Sequence, residues 1–141
     1  MSAAMFRIMV IDDDPEIVEM LREFFLFADI FEQIEVQTVT GQNVVQEACE
    51  LISLRKPDII FTDWEMFCPT TGGIEVITAA IANGIPISHI AVMSGGSNTS
   101  RELGDFLIEK NIKVIKFFRK PLDFESLKVW LTELFTLQPT V

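Results

Sequence analysis

The feature that most constrains the fold of this chain is a regular alternation of short apolar runs with segments long enough to form helices. Four of the five runs are almost continuously apolar, which is typical of strands covered on both faces. The second run alternates apolar and polar side chains and predicts an edge strand. The predicted strands are Phe6–Ile11, Ile34–Val39, 58–62, 89–93 and 113–118.

A helix is predicted after each strand. Asp14 and Pro15 suit the N-cap and first turn of the first helix, and Asn83-Gly84 suits the end of the third. Strands alternating with helices imply one parallel sheet with right-handed crossovers. The predicted helices cover about residues 15–30, 42–54, 73–83, 98–110 and 122–136.

Four short polar motifs lie at the ends of predicted strands. They supply three carboxylates, from Asp12, Asp13 and Asp63, a hydroxyl from Ser94, and an ammonium group from Lys120. Parallel α/β sheets bind ligands at the carboxyl ends of their strands, so these groups are expected to meet at one edge. That combination is typical of a Mg²⁺-dependent site that accepts a phosphoryl group.

Composition limits the function classes. The chain has 141 residues, which favours one domain, and its net charge of −10 argues against direct binding of nucleic acid. No apolar run reaches the roughly 18 residues that span a membrane, and the first ten residues lack a signal-peptide pattern. We therefore expect a cytoplasmic protein without a membrane partner, in which Cys49 and Cys68 need no disulfide.

The four motifs, in this order and at this spacing, resemble those of the receiver domain of two-component response regulators. The resemblance covers about residues 5–137, with 1–4 and 138–141 as terminal tails. It implies a flavodoxin-like (βα)5 α/β fold, a doubly wound sandwich whose five-stranded parallel sheet has the order 2-1-3-4-5. It also implies a stand-alone signalling switch that catalyses only its own phosphorylation and dephosphorylation.

The resemblance assigns roles to the acidic residues. Asp63 is expected to be the phosphoacceptor, with Mg²⁺ bound directly by Asp13, through water by Asp12, and by the backbone carbonyl of Glu65. The Glu65 side chain can overhang the site. Two carboxylates about 4 Å apart repel by roughly 4 kcal/mol at an effective dielectric constant of about 20, and a hard divalent cation relieves that repulsion.

The resemblance also assigns roles to Ser94, Lys120 and Phe117. Ser94 is expected to donate a hydrogen bond to the phosphoryl group and to move with it, and Lys120 to pair with that group across a cis bond to Pro121. Phe117 is expected to be the switch aromatic. A core role for Phe117 stays open, because Phe118 is adjacent and only one of the two can face a partner.

The implied partners are proteins. A sensor histidine kinase or histidine phosphotransfer protein would supply the phosphoryl group, and a downstream target would bind the surface built by the fourth helix, fifth strand and fifth helix. A homodimer through that surface is an alternative. The first helix is unusually apolar and predicts a docking strip, a packed edge or a dimer contact, and Trp130 carries the same ambiguity.

Several features differ from the usual receiver pattern or lie beside the motifs. The loop after Asp63 is about two residues longer than is usual, and the stretch from Ser94 to Lys120 about four, which implies a longer fourth helix or following loop. We expect Trp64 to be partly exposed beside the metal site. His89 is expected to be structural.

Three other functions are weighed against the switch. A degenerate receiver would bind partners without phosphorylation. A Mg²⁺-dependent phosphoaspartyl hydrolase would use Glu65 as acid/base, but its nucleophile would follow the first strand. A flavodoxin-like cofactor binder needs a phosphate-cradling loop after the first strand, where this chain has three consecutive aspartates.

Overall fold

The computed structural model describes residues 6–28, 33–66 and 72–136. Five strands form one parallel sheet in the order β2-β1-β3-β4-β5, as expected, so β2 is an edge strand. The elements are β1 (Phe6–Ile11), α1 (Pro15–Phe27), β2 (Ile34–Val39), α2 (Val44–Arg55), β3 (Ile59–Asp63), α3 (Gly72–Ala82), a 3₁₀ helix (Ile87–His89), β4 (Ile90–Ser94), α4 (Thr99–Glu109), β5 (Lys116–Arg119) and α5 (Phe124–Thr136).

The central strands are buried on both faces because helices cover both. Successive side chains of a strand point to opposite faces, and the apolar runs of β1, β3 and β4 supply both. Met9 and Ile11 pack with α2, α3 and α4, whereas Ile8 and Val10 pack with α1 and α5. The near-continuous apolar runs are therefore explained by a three-layer sandwich.

Local signals fix where several helices begin and end. The Asp14 side chain caps α1 by accepting from the Glu16 N–H at 2.9 Å. Gly84 follows α3 with φ +82°, a left-handed conformation that glycine adopts without a steric penalty. Lys56 ends α2 with φ 47° and donates its N–H to the Ile52 carbonyl.

Some boundaries differ from the prediction, and two of the differences matter for function. Strands β3 and β4 each end one residue later than predicted, so Asp63 and Ser94 are the last residues of their strands. His89 is not in a strand; it ends the 3₁₀ helix, and its Nδ1 lies 2.9 Å from the Asp58 carbonyl oxygen. Helix α4 has eleven residues, and residues 110–115 connect it to β5.

The apolar strip of α1 is divided between packing and exposure. Phe25 is buried, and Phe24 stacks on Phe124 of α5 with ring centroids 5.0 Å apart. Phe27, in contrast, is 82% exposed. Trp130 packs edge-on against Phe118 at 5.7 Å, so its role is in the core.

Two predictions fall outside the described residues. These are the longer loop, most of which lies in 67–71 and includes Cys68, and the last residues assigned to the first helix. Within 6–28, 33–66 and 72–136, no helix is long and apolar enough to cross a membrane.

A prediction about packing comes from Gly73 at the start of α3. A Cβ there would lie 2.6 Å from the Trp64 carbonyl oxygen and 2.7 Å from the Trp64 Cα. Because backbone must then move, Gly73→Ala should lower the free energy of unfolding by about 1–3 kcal/mol. Urea titration measures this change.

The matched control is Gly104→Ala in α4. A Cβ at Gly104 meets nothing within 4 Å, so the better helix propensity of alanine should raise stability by up to about 1 kcal/mol. A Gly73→Ala variant as stable as the parent would contradict the prediction, because the backbone at Trp64 would then be able to move at little cost in free energy.

Candidate functional site

The candidate site lies at the carboxyl edge of the sheet, where β1, β3, β4 and β5 end. Backbone hydrogen bonds continue the sheet one residue past three of these strands. The Asp12 N–H donates to Val39 O at 3.2 Å. The N–H groups of Trp64 and Lys120 donate to Met93 O and Ser94 O, each at 2.9 Å. The residues that carry the polar groups are therefore placed by the sheet rather than by free loops.

Three carboxylates converge at this edge. Asp12, Asp13 and Asp63 each offer one oxygen, and these oxygens lie within 4.8 Å of one another. Asp12 and Asp63 are buried and Asp13 is half-buried. Three hard oxygen ligands this close, and largely removed from water, fit a small divalent cation such as Mg²⁺. The structure thus brings together the predicted acidic residues.

Lys120 reaches into the acidic cluster from the opposite edge strand. Its Nζ donates to Asp12 Oδ2 at 2.7 Å and lies 3.4 Å from Asp63 Oδ1. The Lys120–Pro121 peptide bond is cis, as the receiver resemblance implies. The two short distances to carboxylate oxygens make Lys120 the positive charge that faces the acidic cluster.

Burial makes the acidic residues hard to ionise. It is the main reason that the pKa of Asp63 rises from 3.8 to about 7, and the Asp12 carboxylate raises it further while Lys120 opposes both effects. The pKa of Asp12 is also raised, again chiefly by burial. Burial alone would lower the pKa of Lys120, but its bonds to Asp12 and Asp63 raise it.

A chain of hydroxyl groups lies beside the carboxylates. Ser94 is buried, its Oγ lies 2.6 Å from Thr99 Oγ1, and it accepts from the Gly96 N–H at 3.0 Å. Thr99 is fully buried and contacts Glu65 Oε1 at 3.5 Å. Sequence reasoning found Ser94 but missed Thr99, whose only signal is a hydroxyl at the predicted start of the fourth helix.

The exposed Glu65 side chain leans over the loop after β4. A Cβ built on Gly96 would collide with the Glu65 carboxylate, so the glycine leaves room for that acidic side chain. Among the described residues, the carboxylates that lie close enough together to hold one metal ion are those of the three aspartates. The Glu65 carboxylate is not among them.

The expectation that Trp64 is partly exposed is wrong. Its side chain is only 2% exposed, because its ring packs edge-on against Phe106 of α4 and its Nε1–H donates to Glu102 Oε2 at 3.0 Å. The residue after Asp63 is therefore tied to α4 by one hydrogen bond and one aromatic contact.

The two neighbouring phenylalanines of β5 have different surroundings. Phe118 is buried and stacks on Phe61 at 5.5 Å, whereas Phe117 is half-buried with the Arg119 guanidinium 6.0 Å from its ring centre. Of the two, Phe117 is the one near the surface. Arg119 itself is exposed.

The raised pKa of Asp63 predicts a pH-dependent stability in metal-free buffer. Between pH 3.8 and about 7 the folded state keeps a proton that the unfolded state has lost, so stability falls as pH rises through this window. Asp63→Asn removes the titrating carboxyl group and therefore this loss of stability at higher pH. Its stabilising effect should grow from pH 4 to pH 8 by up to about 4 kcal/mol, at about 1.4 kcal/mol per pKa unit.

Urea titrations in chelator at several pH values measure this effect. The exposed Asp105→Asn on α4 is the control for removing a carboxylate outside the acidic cluster. An Asp63→Asn effect of equal size at pH 4 and pH 8 would contradict the prediction.

Comparison with known proteins bears on the fold. The sequence matches no protein-family model and no curated protein. A solved response regulator from Colwellia psychrerythraea is similar over 96% of this chain and 100% of its own, with 27% identity and a TM-score of 0.66. The Vibrio cholerae chemotaxis protein CheY4 is similar over 93% and 99%, with 22% identity and a TM-score of 0.70.

A response regulator receiver protein from Sinorhizobium medicae is similar over 94% of this chain and 95% of its own, with 18% identity and a TM-score of 0.67. These likenesses extend over nearly the whole chain and agree with the strand order. The predicted resemblance is confirmed: this chain has the fold of a response regulator receiver domain.

Proposed function

We propose that this chain is a phosphoacceptor switch of a two-component phosphorelay, which accepts a phosphoryl group on Asp63 in the presence of Mg²⁺. The observation that carries the proposal is the position of Asp63. It ends a central strand, with one oxygen within 4.8 Å of oxygens from two other carboxylates and 3.4 Å from the Lys120 ammonium. The donor would be a sensor histidine kinase or a histidine phosphotransfer protein.

Transfer of the phosphoryl group to Asp63 and its later hydrolysis are two balanced steps. An ionised oxygen of Asp63 attacks the phosphorus, and a new O–P bond forms. The bond between phosphorus and the donor breaks, and its electron pair leaves with the donor. Attack by water on the resulting acyl phosphate returns the Asp63 carboxylate and inorganic phosphate. The chain would thus catalyse only its own phosphorylation and dephosphorylation.

The donor set suits Mg²⁺, which favours a few carboxylates together with waters. Asp12, Asp13, Asp63 and the backbone carbonyl of Glu65 would hold the ion. When bound, it would neutralise the phosphoryl oxygens. Lys120 would pair with another phosphoryl oxygen as a point charge, and the Ser94 hydroxyl would donate a hydrogen bond to the group.

The output would be a change in the surface formed by α4, β5 and α5. Ser94 is the last residue of β4, and Phe117 lies half-buried on β5, so both can respond to an event at the sheet edge. Such a switch shifts a population between two arrangements. A downstream protein target, or a second copy of the chain, would read that surface.

Intact mass spectrometry after incubation with acetyl phosphate and Mg²⁺ tests the proposal. We expect one phosphoryl adduct on the parent protein and none on Asp63→Asn or when Mg²⁺ is chelated, because the acceptor carboxylate and the cation are both needed. Asp105→Asn, an exposed carboxylate variant, should form the adduct like the parent.

Two other results would replace this proposal. No adduct on a folded protein would favour a degenerate receiver that binds partners without phosphorylation. Release of many equivalents of phosphate from a phosphomonoester would favour a phosphoaspartyl hydrolase.

A second prediction concerns Lys120. Lys120→Ala should slow formation of the adduct by about a hundredfold, the size usual for removing one group that stabilises transition-state charge. Arg119→Ala is the matched control, because it removes the neighbouring positive charge from an exposed position outside the cluster. Equal rates for the two variants in the time course of adduct formation would contradict a role for Lys120.

A further inference from the structure

We infer that Thr99 is a positioning residue that holds the Ser94 hydroxyl in a closed hydrogen-bond chain and so restrains the switch before phosphorylation. This inference rests on the proposed function. It concerns four groups in a row: the Gly96 N–H, the hydroxyls of Ser94 and Thr99, and the Glu65 carboxylate.

The direction of the chain follows from counting protons. A backbone N–H only donates and an ionised carboxylate only accepts, while each hydroxyl has a single proton. Gly96 N–H donates to Ser94 Oγ at 3.0 Å, and Thr99 Oγ1 contacts Glu65 Oε1 at 3.5 Å. If Thr99 gives its proton to Glu65, the 2.6 Å bond between the hydroxyls must use the Ser94 proton.

In this arrangement the single proton of Ser94 is already engaged. To donate to a phosphoryl oxygen on Asp63, Ser94 must first break its bond with Thr99. That bond is buried, since Ser94 is 1% and Thr99 0% exposed, so water cannot replace the lost partner at once. Thr99 thus opposes the step that the phosphoryl group would drive.

The same bond connects the acceptor edge to the partner surface. Thr99 is the first residue of α4, and Ser94 is the last of β4. When Ser94 turns toward the phosphoryl group, the start of α4 loses its buried hydrogen bond to the sheet. The Thr99 hydroxyl, whose hydrogen bonds go to Ser94 and Glu65, would in this way couple Asp63 to α4.

The test measures equilibrium binding of beryllofluoride, which occupies a carboxylate oxygen as a phosphoryl group would, in saturating Mg²⁺. Thr99→Val keeps the shape of the side chain and removes the hydroxyl. We expect its affinity for beryllofluoride to exceed that of the parent by about fivefold, the size of one buried hydrogen bond. Thr99→Ser keeps the hydroxyl and should restore the parent affinity.

The decisive comparison repeats the measurement in a Ser94→Ala background. If Thr99 acts through the Ser94 proton, Thr99→Val should change nothing there. A gain that persists in Ser94→Ala, an unchanged affinity in Thr99→Val, or a gain that Thr99→Ser shares would each overturn the inference, because a merely structural role does not depend on Ser94.

Glu65→Ala provides a second route if the buried valine prevents folding. Glu65 is exposed, and alanine retains the backbone carbonyl while removing the acceptor of the Thr99 proton. Loss of the Glu65 charge should change the affinity for beryllofluoride both when Ser94 is present and in the Ser94→Ala background. The part of the affinity gain that disappears in Ser94→Ala therefore measures the hydroxyl chain, and its absence would overturn the inference.

Failure of the inference differs from failure of the proposed function. If the parent binds beryllofluoride and Asp63→Asn does not, but Thr99→Val behaves as the parent, only the role of Thr99 is lost. If the parent takes up neither beryllofluoride nor a phosphoryl group, both proposals are overturned.

Discussion

The site depends on an ion pair that closes the sheet across its carboxyl edge. Lys120 and Asp12 are 108 residues apart in sequence, yet the ammonium lies 2.7 Å from the carboxylate because β5 and β1 are parallel in the same sheet. Burying two carboxylates beside a third is costly, since repulsion and lost hydration add. The ammonium offsets part of that cost, and the remainder appears in the raised pKa of Asp63.

Two connections lead from the acceptor edge to α4. One runs from Trp64 to Glu102 and Phe106, and the other from Ser94 to Thr99. Ser94 is the last residue of β4, and Trp64 directly follows the last residue of β3. Both side chains are buried. Small displacements at a packed interface change discrete contacts rather than deforming it smoothly, so α4 is the element placed to respond to a change at Asp63.

The sequence predicted the parts of this molecule that local physics decides. Apolar runs set the strands, and topology then brought Asp12, Asp63 and Lys120 together without any knowledge of side-chain contacts. Trp64 was misjudged because its burial depends on Phe106 and Glu102, more than thirty residues away. Thr99 was missed for the same reason, since a hydroxyl at a helix start is common and becomes informative only when Ser94 is seen beside it.

The raised pKa of Asp63 also bears on the order of events in the proposed switch. Near pH 7 the metal-free carboxyl carries a proton for part of the time, and a protonated carboxyl is a weak nucleophile. A divalent cation held by the same oxygens competes with that proton, because a bound cation favours the ionised form of its ligands. Binding of the cation would therefore raise the fraction of Asp63 that is ionised near pH 7, and with it the fraction able to attack phosphorus.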